Sequence, residues 1–595
     1  MLLKNKKIYI IKKKDALHSD GINIIWDSYN ENKNSISILR YIEENSIKIK
    51  LEAIKSLRAF NGRILQNKNM NKKLILKNNF NFWETSLLNQ KSFYKDYSGN
   101  LNLFIKIIAL KKFLTKNKVD ELTLGFYNKN LYNFLNKFLK KYKIKFVNDK
   151  KNVYFSKDKF FYNIKHQLRK LFFLKFLLPR IFLPKNKIYN LNLNILCCDY
   201  FSYFNLGEFK SGKYKSAVWG NLLNNISNKS KITFLHIYQN TELSSLSLKS
   251  SIQNFKNDIK KENHLILDTF LDWTIIMKIF IKWIRFNFYF SDINVHLNNI
   301  NKKCEYNLSE IFSSDIKESL IGFESLMNLY YFFLFEKFFS ICGKNIKKNI
   351  YIYENQGWEK SYLYFSNKKG FTKNYSIVST PIRFWDLRYS EKVKLKNPNF
   401  NCVNGKISEK ILLECGFKKK DIKLVDAVRY ENLKDFKFIK TIKKKNEQIL
   451  VLGDHLKSSN ILIEKIISNI VKKKPNLKFI VKPHPILNFS KQFMSQKNIK
   501  VIDDLNLDFF NDISTVISPN MTSASLIPYY LGKKIIVCLD DNKVNFSPLK
   551  NLPGVNFISS DNDFFKIFNK KETIQLKKNF IFFFNKYKVW KNIFN

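Results

Sequence analysis

The chain reads as an α/β protein in which two Rossmann-like domains face a cleft, preceded by an extra N-terminal α/β region. Three observations carry that expectation. Phe479-Ile-Val-Lys-Pro-His-Pro-Ile486 is a short apolar run of buried-strand type that stops at a proline-flanked histidine. Val516-Ile-Ser-Pro-Asn-Met-Thr-Ser-Ala-Ser525 is a second such run, ending in a hydroxyl-rich turn that opens a helix. Leu193–Cys198, a Gly-containing loop, a helix with Trp219 and the run Lys231–Tyr238 follow in β-α-β order. Parallel strands end on one edge of their sheet, and a Lys/His loop beside helix-start hydroxyls and amides makes a phosphate site there.

The elements follow in order. Residues 6–11 read as a first strand, followed by helical patterning near 36–60. Phe80–Leu88 and Leu103–Thr115 have the 3.6-residue spacing of helices. Glu121–Phe126, Leu131–Tyr142 and Ile144–Val147 read as strand, helix and strand. Residues 164–187 form a basic amphipathic segment punctuated by Pro179 and Pro184, either a linker helix or an interfacial membrane anchor. The N-terminal region is therefore set at 1–187. The acceptor-side Rossmann-like domain, 188–396, begins at Leu193 and has Gly207, Gly212 and Lys213 in its first loop. Residues 269–290 form a basic aromatic helix of core or interface type. Ile350–Tyr353 is a strand with Glu354 at its end, and Ser376–Thr380 is the next. The region 397–432 reads as the crossover into the nucleotide-sugar-binding domain, 397–595. There strands at Gln448–Gly453, 478–482, Lys500–Ile502, Ser514–Ile517 and Lys534–Cys538 alternate with helices near 458–472, Leu505–Asn511 and Thr522–Leu531. The tail from Lys578 either folds back or touches membrane.

Bulk properties narrow the function. A net charge of +55 resembles that of a nucleic-acid binder, but only nine of the 104 basic residues are arginine. Phosphate and base recognition draws on the bidentate Arg fork, and no Arg-rich patch exists, so nucleic acid is not an expected partner. Lys, Asn, Ile and Phe are inflated together, a sign of compositional drift. Three arginines nevertheless lie close in sequence, at Arg383, Arg388 and Arg429, where a retained guanidinium points to a geometric need or a structural ion pair. The seven cysteines form no CxxC pair, so neither zinc nor a disulfide framework is expected. The start, Met1-Leu-Leu-Lys-Asn-Lys-Lys, has no apolar run of signal-peptide length, and no run reaches spanning length. The expected location is the cytoplasm, with the inner face of the cytoplasmic membrane as a place of peripheral contact.

Glu354-Asn-Gln-Gly-Trp-Glu359, Arg383-Phe-Trp-Asp-Leu-Arg-Tyr389 and Val425–Tyr430 resemble a bacterial family of surface carbohydrate (O-antigen) biosynthesis proteins. Phe82–Leu88, Lys91–Lys95 and the Trp219 segment look like that family's N-terminal half. Lys482-Pro-His-Pro485, with Ser518 and Ser523, is similar to the His-Pro and Ser motifs of bacterial sialyltransferases and Kdo transferases. That resemblance implies a GT-B-like fold in which the His and Ser groups bind the phosphate of a CMP-sugar.

Glycosyl transfer needs a stabilised leaving phosphate, a deprotonated acceptor hydroxyl and a positioned sugar centre. The donor side is expected to use Lys482, His484, Pro485, Ser518, Asn520, Thr522 and Ser523, with Arg383 and Arg388 reaching in. The candidate bases are Glu354, then Asp386 and Asp199. No cofactor and no metal are expected: Asp503-Asp504 and Asp540-Asp541 read as loop caps. The partners are a nucleotide-sugar donor and a glycan or lipid-linked glycan acceptor. The rival readings are a polyol-phosphate transferase of teichoic type and a non-catalytic scaffold of a polysaccharide assembly complex.

Overall fold

A computed structural model describes residues 7–12, 17–77, 79–90, 99–148, 172–183, 193–201, 216, 218–226, 232–238, 263–343, 345–368, 373–390, 398–434, 448–568, 570 and 579–595. The first loop of the second domain, the segment 91–95, residues 164–171 and 184–187, and Lys578 lie outside these. So do both expected domain boundaries.

The described residues build three parallel sheets. The first region contains β1 (Lys7–Ile11), β2 (Ile22–Ile25) and β3 (Ser35–Ser37), an antiparallel hairpin of β4 (Ile75–Lys77) and β5 (Phe80–Asn81), then β6 (Glu121–Leu124) and β7 (Lys145–Asn148). Without the hairpin they form one sheet in the order β3-β2-β1-β6-β7. The second sheet takes β8 (Ile195–Tyr200), β9 (Ile232–Ile237), β10 (Asn263–Ile266), β11 (Lys348–Ile352), β12 (Lys373–Val378), β13 (Phe400–Val403) and β14 (Ile422–Leu424), ordered β10-β9-β8-β11-β12-β13-β14. The third takes β15 (Gln448–Leu452), β16 (Lys478–Lys482), β17 (Ile499–Val501), β18 (Ile513–Pro519), β19 (Lys534–Cys538) and β20 (Val555–Ile558), ordered β17-β16-β15-β18-β19-β20. In each sheet the chain winds outward one way, returns to the middle and winds out the other way. This is the doubly wound order, with a switch point at β1/β6, β8/β11 and β15/β18. The central strands are buried on both faces: every residue of β8 and β9 is buried, which explains why most of their residues are apolar.

The N-terminal region is thus a Rossmann-like sheet in its own right. Its core is continuous with one face of the second sheet through a helical insertion between β10 and β11. That insertion holds the long helix Trp273–Lys302, the helix Ser313–Ile321 and the apolar helix Phe323–Cys342. Asp272 caps the long helix by accepting the Ile275 N–H at 2.9 Å. Separate apolar clusters cover the two faces of the third sheet.

Several elements differ from expectation for local reasons. The second sheet runs on to Leu424, past the expected limit at 396, because β13 pairs with β12 and β14 with β13. Strands of four and three residues carry too little periodicity to be told from a crossover. Phe80–Leu88 is not one helix: it is β5, a 3₁₀ turn Phe82–Thr85 and the start of the short helix Leu87–Gln90, with Asn81 accepting from the Trp83 N–H. Leu505–Asn511 supplies only the 3₁₀ turn Asp508–Asn511. Thr522–Leu531 divides into a 3₁₀ turn, Ser523–Ser525, and the five-residue helix Leu526–Tyr530. The side-chain oxygens of Thr522 and Ser525 bond locally to the backbone, competing with helical geometry, and Gly532 at φ +71° ends the segment.

The tail folds back. Ile581 passes so close to Gly405 that a Cβ there would lie 1.9 Å from the Ile581 carbonyl oxygen, so only glycine fits. The helix Lys588–Phe594 then packs Trp590, Ile593 and Phe594 against Trp219 on the second sheet. The C-terminus thereby ties the second and third domains together.

Candidate active site

The carboxyl-terminal edges of the second and third sheets meet. Arg383, just after β12, sends its Nη1 to the Met521 carbonyl at 2.8 Å and the Phe546 carbonyl at 3.1 Å, both in the third domain. Beside it opens a cavity of about 390 Å³. Tyr353, Glu354 and Gln356 line it from the β11 end, Ser379 to Arg383 from the β12 end, and Asp386, Arg388 and Tyr389 from the turn beyond. Arg429 and Ser523 complete the wall. Five expected site residues, Glu354, Arg383, Asp386, Arg388 and Ser523, are therefore brought together.

Their bonding separates their roles. Arg388 grips Asp386 in a buried fork, Nε to Oδ1 at 2.6 Å and Nη2 to Oδ2 at 2.5 Å. Burial alone would lower the Arg388 pKa, but the Asp386 carboxylate overrides it and holds the guanidinium charged well above its ordinary range. Asp386 thus has both oxygens committed. Glu354 is partly buried on the cavity wall. Its loop is held by Glu359, whose Oε1 accepts the backbone N–H of Glu354 at 2.8 Å and of Gln356 at 3.0 Å. Glu359 is fully buried, and burial pushes its pKa up to about 8 against the pull of those two amides. Asn355, in a left-handed conformation at φ 56°, reaches back to the Asn89 carbonyl at 3.2 Å and so docks the loop on the N-terminal region. Arg429 is exposed and makes no ion pair among the described residues, which leaves it the cavity's available guanidinium.

The remaining donor-side residues sit along the third sheet's edge and do not line this cavity. Lys482 ends β16 and is partly buried, with its Nζ 3.3 Å from the Pro483 carbonyl. His484 Nδ1 accepts the Ile486 N–H at 3.2 Å, which places the ring proton on Nε2 and makes that atom a donor. Burial, and then the neighbouring His455, lower its pKa, so the ring is neutral near pH 7. Pro485 is exposed. Ser518 is fully buried, as is Asn520, whose Nδ2 donates to the Val544 carbonyl at 3.2 Å. Thr522 accepts the Ala524 N–H at 3.3 Å. The Ala524 amide is thus turned to Thr522, and the five-residue helix that follows is too short for its dipole to hold an anion. Gly453 lets the β15 end approach the His-Pro loop: a Cβ there would lie 2.7 Å from the His484 nitrogen.

Asp199, on β8, is buried away from the cavity wall. It accepts the Trp219 Nε1–H at 2.9 Å and lies 2.5 Å from His236 Nδ1; His236 Nε2 is in turn 2.9 Å from His264 Nδ1. A second histidine pair stands just past the ends of β15 and β16. His455 lies 2.7 Å from the buried Asp454, and its ring centre is 5.8 Å from that of His484. Four of the chain's seven histidines thus pair on strands or just past strand ends. Scarcity was the available signal for His236, His264 and His455; pairing across strands was not visible in one dimension. The one Asp-x-Asp stretch, Asp561-Asn-Asp563, opens the helix Asp561–Phe568. Asp563 accepts the Ser559 N–H and Asp561 pairs with Lys473, so both act locally.

Fold and site define a GT-B-like pair of Rossmann-like domains with a third such sheet before them. No protein-family model and no curated protein matches the chain. Among solved structures it is similar to the UDP-GlcNAc 2-epimerase from Neisseria meningitidis bound to UDP-GlcNAc, with TM-score 0.34 and 12% identity over 63% of this chain and 90% of that one. It is also similar to the lipopolysaccharide outer core galactosyltransferase WaaB in its apo form, with TM-score 0.32 and 9% identity over 63% and 89%. A third is CalG4, the calicheamicin glycosyltransferase, with TM-score 0.29 and 8% identity over 63% and 83%. Likenesses at this level assign no activity to the chain.

Proposed function

We propose that the chain is a metal-independent glycosyltransferase of surface polysaccharide (O-antigen or capsule-like) biosynthesis. It takes a sugar from a nucleotide-sugar donor, a CMP-activated nonulosonate or Kdo-like sugar, to a glycan or lipid-linked glycan acceptor at the inner face of the membrane. The observation that carries the reading is the interdomain cavity, where Arg383 joins two sheet edges and a carboxylate, the exposed Arg429 guanidinium and a hydroxyl converge. Glu354 takes the acceptor proton. The His484 Nε2–H donates to the leaving phosphate, with Lys482 beside it, and Arg429 balances charge that develops across the cleft. Asp386 and Arg388 hold one another and shape the wall. The Asp199 chain fixes the β8 edge.

The test is a thermal-shift and product-release screen of wild type, His484→Ala and Glu354→Gln with CMP, UDP, GDP and CDP ligands. The reading expects stabilisation by CMP that His484→Ala abolishes and Glu354→Gln keeps, with turnover lost in Glu354→Gln. Stabilisation by UDP or GDP would replace the donor, and turnover of a CDP-polyol would make this a teichoic-type polyol-phosphate transferase. No response to any nucleotide would overturn the enzyme in favour of a scaffold.

A further inference from the structure

We propose that the helix 172–181 and the long helix Trp273–Lys302 together form a surface that lies flat on an anionic lipid membrane. Twenty large apolar side chains are exposed among the described residues, and half of them are on these two helices or the turn after the first. Phe182 and Phe288, at 81% and 79% exposed, lead them all. On the long helix Trp273, Met277, Ile281, Ile284 and Phe288 recur every three or four residues, so at ~100° per residue they share one sector about 80° wide. The buried Ile275, Ile279 and Phe286 lie on the opposite side. The helix therefore has two apolar faces, one in the bundle and one turned to solvent.

The shorter helix extends the outer face. Phe173 is buried against Phe280 and Phe323, with ring centres 6.2 Å from each. That packing leaves Phe172, Leu174, Leu178 and Phe182 outward, beside the row on the long helix. An apolar patch this large on a soluble domain marks a contact surface.

Charge selects the occupant. Lys278, Lys282 and Arg285 flank the row on the side away from Phe280. Lys278 stands 3.8 Å from Glu336, whereas Lys282 and Arg285 make no ion pair among the described residues and repel one another. Lys175 adds a cation on the shorter helix. A two-fold copy of the chain would set this cationic patch against itself, which like-charge repulsion opposes. Acyl chains beneath anionic headgroups satisfy both features at once, with the lysine and arginine stems reaching up to the phosphates. The exposed row runs along the length of the long helix, so the contact lies in the plane, and no helix among the described residues is long and apolar enough to cross a membrane.

The test floats the full chain with vesicles of phosphatidylcholine alone and of phosphatidylcholine with phosphatidylglycerol. Wild type is expected to float with the anionic vesicles and to release at high salt. Phe182→Ser with Phe288→Ser should lower the bound fraction roughly tenfold with an unchanged melting curve, since both side chains are exposed. Lys282→Gln with Arg285→Gln should remove the preference for phosphatidylglycerol, and Ile461→Ser, exposed in the third domain, should change nothing. Failure of wild type to float, equal flotation of the Phe variant, or a dimer that the Phe variant splits would each overturn the proposal. The vesicle and nucleotide assays are independent, so failure of either leaves the other standing.

Discussion

Glu359→Gln separates the electrostatic account of the β11 loop from a merely steric one. The Glu359 carboxyl is fully buried, its Oε1 accepts two backbone amides, and its Oε2 has no hydrogen-bond partner among the described residues. Burial raises its pKa from the ordinary 4.5 to about 8. Between those values the folded chain holds a proton that the unfolded chain has released. Its contribution to stability is therefore full below pH 4.5 and is lost as pH rises through 8. The loss is about 1.4 kcal/mol for each pH unit, so roughly 4 kcal/mol between pH 5 and 8. Glutamine keeps an oxygen for the two amides and cannot ionise, but its NH₂ brings two donors where no acceptor waits and the neutral carboxyl has one, at an added cost of about 1–3 kcal/mol. The variant is expected to be less stable than wild type at pH 5 and more stable at pH 8. At roughly 2 °C per kcal/mol for a large domain, the difference in melting temperature between the two proteins should swing by about 8 °C across that range. Differential scanning fluorimetry of both proteins in matched buffers cancels the titration of every other group. Parallel curves would refute the reasoning, because a steric role has no pH dependence.

Two further outcomes follow from the geometry. Asp386→Asn removes the partner of a buried guanidinium and should cost about 3–5 kcal/mol, whereas Asp386→Leu combined with Arg388→Met should cost much less than the two single changes summed. Additive urea-unfolding costs would mean that the two side chains are not energetically coupled. Gly453→Ala would force the His-Pro loop aside at about 1–3 kcal/mol and should weaken nucleotide stabilisation, read by thermal titration. A destabilised variant with undiminished nucleotide response would take the donor phosphate away from that loop.

Fold class, and the strands that carry it, follow from the pattern of residues along the chain. Runs such as Ile195–Cys198 and Ile449–Leu452 are apolar throughout because both faces of a parallel sheet are covered, and that pattern is legible in one dimension. It also located the loops at strand ends, since Pro483, Pro485 and the hydroxyls after Pro519 interrupt those runs. What the polar residues in those loops do depends on how the domains pack. Arg383 spends its guanidinium on two carbonyls of another domain, Asp386 is claimed by Arg388 two residues on, and Asp199 is held between Trp219 and His236. Each of those bonds depends on where a second element lands, which sequence spacing does not encode. The same holds for the short strands β13 and β14, which exist because a neighbour offers a ladder. It holds too for the outer face of the long helix, whose apolar pattern is the same whether a partner covers it or solvent does. Local chemistry sets periodicity and punctuation; the pairing of charges, and which apolar face is left over, are set when the sheets pack.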